Sequence, residues 1–92
     1  LIYAKEARER IRSLPPEIKR GIRQTLEGLQ ENPYLGKPLR RELTGFWSLP
    51  FKHHRIIYRP LEGGKKLQIY SVGHRKEIYQ EFAKIQKEDP SK

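Results

Sequence analysis

"HRIIYRPLEGGKKLQIYSV", residues 54–72, is the stretch that decides the fold. Two β-prone runs, "HRIIYR" (54–59) and "KLQIYSV" (66–72), flank "PLEGGK", whose Pro and Gly-Gly suit a hairpin turn. Immediately upstream stands a third such run, "FWSLPF" (46–51), so the strands follow one another in hairpin succession. Pro50 cannot donate to a ladder, which marks that run as an edge or bulged strand. The connecting segment "PYLGKPLRRELTG" (33–45) reads as an irregular basic loop.

Toward the N-terminus the period changes from two to about 3.6. Ala4, Ala7, Ile11 and Leu14 recur at helical spacing, and Ile18, Ile22, Leu26 and Leu29 form a second stripe. "SLPPE" (13–17) stops one helix and opens the next: Pro16 suits a first turn, and Glu17 the positive end of the helix dipole. The residue before Pro33 resists the α region and ends the second helix. So short a link predicts a helical hairpin. Gly21 and Gly28 weaken the second helix by about 1 kcal/mol each relative to Ala; close packing against the first helix or simple tolerance would each account for them. "LIY" (1–3) reads as a short strand, and Ile78, Phe82 and Ile85 as the stripe of a C-terminal helix. The expected order is β-α-α-β-β-β-α: an α+β domain over residues 1–92, with helices on a mainly antiparallel sheet.

Charge narrows the partners. Twenty Lys and Arg against eleven Asp and Glu give a net +9, with ten basic groups in each half of the chain. Such an excess spread over a folded body favours a nucleic acid or an acidic protein as partner. No apolar run approaches the roughly 20 residues of a membrane span, so no membrane partner is expected. There is no cysteine, hence no disulfide and no thiolate metal site, which suits a cytoplasmic location. The opening Leu1 suggests that the natural chain begins a few residues earlier.

Few residues qualify for chemistry. Strand alternation puts Arg55, Ile57 and Arg59 on one face, and His54, Ile56 and Tyr58 on the other. Arg55 then either snorkels to solvent or aims a fixed guanidinium at phosphate. His53 and His54 should point apart on a strand and so cannot chelate one ion, and His74 is distant in sequence; no metal is expected. In "SVGHRKEIY" (71–79), Arg75 and Tyr79 lie four apart and share a helix face if the helix begins near His74. Taken alone, that pair is more often the edge of a core than a site.

Together, "LPPEIKRGI", "NPYLGKPLRREL", "HRIIYR" and "YSVGHRKEIY" resemble the RelE family of toxins, within the RelE/ParE superfamily of toxin–antitoxin systems. The resemblance covers nearly the whole chain. It implies a RelE-like fold and a toxin that cuts mRNA in the ribosomal A site, against mRNA and rRNA, without a cofactor. It also implies a cognate acidic antitoxin. Carried over by motif, the catalytic set is Arg55, Arg75 and Tyr79, joined by His74. Lys37, Arg40, Arg41, Lys52, Arg59 and Lys76 are the expected phosphate-binding residues. Strong ribonucleases of the family often carry basic residues where this chain has Ser48 and Pro50, so either the grip has moved to Lys37, Arg40, Arg41 and Lys52 or the activity is reduced. A superfamily member of the ParE type would instead inhibit DNA gyrase by binding alone.

Overall fold

The computed structural model describes residues 1–74 and Ile78. The expected C-terminal helix, with Arg75, Lys76 and Tyr79, lies outside the described residues apart from Ile78. The elements are β1 (Ile2–Tyr3), α1 (Lys5–Arg12), α2 (Pro16–Glu31), β2 (Lys37–Pro38), β3 (Trp47–Phe51), β4 (His54–Leu61) and β5 (Lys66–His74). They form one five-stranded sheet in the order β1-β5-β4-β3-β2. β1 runs parallel to β5, and the remaining pairs are antiparallel. The mainly antiparallel α+β architecture is as expected from the sequence.

One correction concerns residues 33–45, which are not wholly irregular. Lys37 and Pro38 pair with Ser48 and Trp47, and Arg41–Leu43 make a turn of 3-10 helix. A two-residue strand containing a proline has no periodicity for a sequence reading to detect. Because β2 is so short, it leaves the end of β3 uncovered. Pro50 sits in that uncovered part, opposite Arg55 of β4, where a missing N–H costs nothing.

The helices pack on one face. Ala7, Ile22, Leu26 and Leu29 are buried against Leu49, Ile56, Tyr58, Leu67, Ile69 and Val72 of the sheet. Pro16 stands at the start of α2 as its fixed φ allows. Gly21 lies under Phe51: a Cβ there would collide with the Phe51 ring, whereas nothing lies near Gly28. Close packing therefore explains the first glycine, but against β3 and not against the first helix as expected, and tolerance explains the second. On the opposite face a smaller cluster holds Phe46, Ile57 and Ile78, flanked by Leu39, Leu43 and Tyr70.

The β4–β5 register shifts between Ile57 and Tyr58: Tyr58 pairs with Ile69, but Ile57 pairs with Ser71. Tyr70 is thus an extra residue in β5. The bulge lets Leu67, Ile69 and Val72 share the helix-facing side although strict alternation would put Val72 on the other.

Candidate functional site

The second face of the sheet carries the expected arginines. Ile56 and Tyr58 join the helix-side core while Ile57 joins the opposite cluster. Alternation therefore sets Arg55, Ile57 and Arg59 together on the second face. Across the sheet, Lys37 pairs with Ser48 and Ser48 with Ile57, which places Lys37 on the same face as Arg55. Ser48 itself is only 2% exposed, so a longer basic side chain would not fit its place unchanged. Lys37 is exposed and directly opposite it.

Arg40 and Arg41 are exposed on the connection between β2 and β3, and Lys52 is exposed in the β3–β4 turn. Arg41 and Lys52 both adopt left-handed backbone, with φ of 59° and 54°. Arg59 is half-buried, its guanidinium 5.3 Å from the centre of the Phe46 ring and 5.6 Å from that of Tyr70. Its Nε is buried without a hydrogen-bond partner among the described residues. Arg59 is therefore anchored at one end of the face by aromatic stacking, and Arg55 lies toward the other.

The loop bearing Lys37 is tied down by a residue the sequence reading passed over. The Gly36 N–H donates to the Tyr58 hydroxyl at 3.0 Å. Burial raises the phenol above its ordinary value, and the Gly36 hydrogen bond partly offsets that rise. A Cβ on Gly36 would collide with the Ser48 carbonyl, so only glycine permits this approach.

The three histidines were expected to be separate, and here the structure differs. Lys52 and His53 form the two-residue turn between β3 and β4, so His53 is not on a strand. His54 pairs across the sheet with His74. The His53 and His74 rings lie 6.5 Å apart and nearly parallel, and the His54 and His74 rings lie 6.3 Å apart. Burial, then the neighbouring His74 and His53, lowers the His54 pKa below its ordinary value. Arg55 pairs with Gly73, one residue from His74, so Arg55 and His74 share an end of the sheet while alternation points them to opposite faces. No group of three or more histidine or acidic side chains among the described residues is arranged to hold a metal ion.

A groove of about 250 Å³ opens between the helices, lined by Tyr3, Arg8, Ile11, Lys19, Ile22, Arg23 and Leu26. Its floor is apolar and its rim basic. No helix among the described residues is long and apolar enough to cross a membrane.

A small, strongly basic sheet with a helical hairpin on one face and cations on the other defines a class: the toxins of the RelE/ParE superfamily. Residues 1–79 match the family described as "ParE toxin of type II toxin-antitoxin system, parDE", and the chain belongs to it. Toxin RelG of Mycobacterium tuberculosis is 35% identical over 79 residues, which span 84% of this chain and 91% of that protein. Among solved structures, the toxin-antitoxin complex RelBE2 from Mycobacterium tuberculosis matches with a TM-score of 0.72 and 33% identity, covering 79% of this chain and 93% of the other. The isolated E. coli RelE toxin matches at 0.69 and 19% identity, over 92% and 95%, a likeness of fold alone.

Proposed function

We propose that this type II toxin is a ribosome-dependent endoribonuclease that cuts mRNA in the A site. The observation that carries the reading is the placement of Arg55 and Lys37 on one face of the sheet, away from the helices. That face would hold the message, with Arg40, Arg41 and Lys52 meeting flanking phosphates. In the reaction, the RNA 2′-oxygen bonds to its own phosphorus as the bond to the next 5′-oxygen breaks. A 2′,3′-cyclic phosphate and a free 5′-hydroxyl result. Arg55 and Arg75 would donate to the non-bridging oxygens, where charge gathers in the transition state. One proton must leave the 2′-hydroxyl and another reach the 5′-oxygen; Tyr79 and His74 would jointly be the carriers, His74 acting from the end of the sheet it shares with Arg55 and not from the same face. Arg75 and Tyr79 enter through the resemblance to the family's motif.

The partner that silences the toxin would be an acidic antitoxin. Charge complementarity suggests the basic-rimmed groove between α1 and α2 as one seat for an amphipathic acidic segment. Replacing Arg23 with Glu should then weaken the toxin–antitoxin complex without changing the cleavage pattern.

The family match itself favours a second reading, inhibition of DNA gyrase by binding. A supercoiling assay and a programmed-ribosome assay on the same preparation separate the two. Cleaved message with uninhibited gyrase supports the nuclease; the reverse pattern supports the gyrase inhibitor.

A further inference from the structure

The end of the second face away from Arg55 carries a cluster of its own. Arg59 follows Arg55 on the same strand and face, about 13 Å further along. Its guanidinium stacks on Phe46 and Tyr70, whose ring centres are 4.8 Å apart, edge to face. Gln68 pairs with Arg59 across the ladder, and its place between Leu67 and Ile69 sets it on the same face. We propose that Arg59 and Gln68, walled by Phe46 and Tyr70, form a subsite of hydrogen-bond donors that takes an acceptor group of an RNA nucleotide beside the one cut: its phosphate, or the O6/N7 edge of a guanine. The proposal rests on the reading that this face holds RNA.

Hydrogen bonding within the cluster leaves donors facing outward. The Tyr70 hydroxyl donates to Gln68 Oε1 at 2.7 Å, so the amide oxygen is engaged and the amide NH2 remains to donate. Guanidinium nitrogens only donate. Of those on Arg59, only Nε is buried without a hydrogen-bond partner among the described residues, so the fork of Nη groups is the end a ligand can reach. A bidentate acceptor matches that fork; phosphate oxygens and the O6 and N7 of guanine are the ones RNA offers. Adenine instead sets a donor beside its N7, against a site that has donors only.

Charge and packing point the same way. Residues 46–61 and 65–76 contain no acid, and Glu62, between them, is held by Lys66 at 3.5 Å. No ion pair joins Arg59 to a carboxylate among the described residues. A half-buried cation without a counter-ion gains more from a charged or dipolar acceptor than one in water, because the aromatic walls screen little. Those walls also hold the guanidinium in one orientation, so little side-chain freedom is lost on binding. Leu39 and Leu43 flank the same cluster, which brings the connection carrying Arg40 and Arg41 past this end of the face. In that connection the two arginines outnumber its one acid, Glu42.

The test is fluorescence anisotropy at low salt with labelled 2′-O-methyl oligoribonucleotides, with and without guanine, which offer no 2′-hydroxyl for cleavage. Arg59→Gln should weaken binding about tenfold or more. Arg59→Lys, which keeps the charge and loses the fork, should weaken it at least about fivefold. A loss equal for every sequence, with the salt slope of Arg59→Gln reduced by about 0.7, identifies phosphate as the acceptor. A loss confined to guanine-containing strands identifies the base edge. Because Arg59 also packs on two rings, wild type supplies a second readout by NMR: the Arg59 Nε–H resonance should move on saturation with the oligonucleotide. Unchanged affinity in either variant would overturn the proposal. So would an Nε–H resonance that stays in place while the strand binds, or absence of binding at low salt. Message cut on programmed ribosomes despite any of these results leaves the nuclease reading intact. Uncut message with the Arg59 effects present leaves the subsite standing.

Discussion

Tyr58 combines two functions in one side chain: its ring is buried in the helix-side core, and its hydroxyl accepts the Gly36 N–H across β3. Tyr58→Phe keeps the ring and orphans the amide, so it should cost about 1 kcal/mol in denaturant unfolding. It should also loosen the segment that holds Lys37, visible as faster amide exchange at Gly36. His54 gives a prediction with a definite sign. Its folded-state pKa is depressed, so the unfolded chain takes up the proton first as pH falls. The stabilisation is present above the ordinary histidine value of about 6.5 and is lost below it. Thermal midpoints should fall between about pH 7.5 and 5.5, and His54→Gln should flatten that fall.

The two glycines of α2 look alike in sequence and behave oppositely in the structure. Gly21→Ala forces a methyl group into the Phe51 ring and should destabilise by about 1–3 kcal/mol. Gly28→Ala meets nothing and should stabilise by up to about 1 kcal/mol, the helix propensity of Ala asserting itself. Urea unfolding of the two variants side by side checks both.

The same scale shows what a sequence can and cannot reveal. The helical stripes and the hairpin turn were legible because each follows from local spacing; Pro50 marked only the uncovered end of β3, since β2 and not β3 is the edge strand. The β5 bulge was not legible, although Leu67, Ile69 and Val72 break a strict period of two. Extending the register from the turn, Leu61 opposite Lys66, would set His54 against Gly73. The extra residue Tyr70 advances β5 by one and sets His54 against His74 instead. The histidine cluster is thus a consequence of a register shift, and register depends on tertiary packing. Lys37 was expected among the phosphate-binding residues, but its place beside Ser48 was not, because it depends on a strand of two residues.

At the scale of the whole molecule, the net +9 is spread rather than confined to a tail. Phosphate contacts from Lys37, Arg40, Arg41, Lys52 and Arg55 would release counterions on binding single-stranded RNA. With a slope of about 0.7 per contact, raising salt from 50 to 200 mM should weaken binding about a hundredfold. Lys37→Ala should lower that slope by about 0.7 if the lysine meets a phosphate, as fluorescence anisotropy at several salt concentrations would show. An unchanged slope would remove Lys37 from the RNA face.

On the proposed reading, Arg55 and Arg75 stabilise a phosphoryl transition state on the ribosome. Mapping message ends after incubating programmed ribosomes with wild type, Arg55→Ala and Arg75→Ala tests that role. Wild type should give cut message with free 5′-hydroxyl ends. Cleavage should be slower by about a hundredfold or more in each variant, with a much smaller loss of binding. Intact message at saturating, folded wild-type protein would contradict that reading.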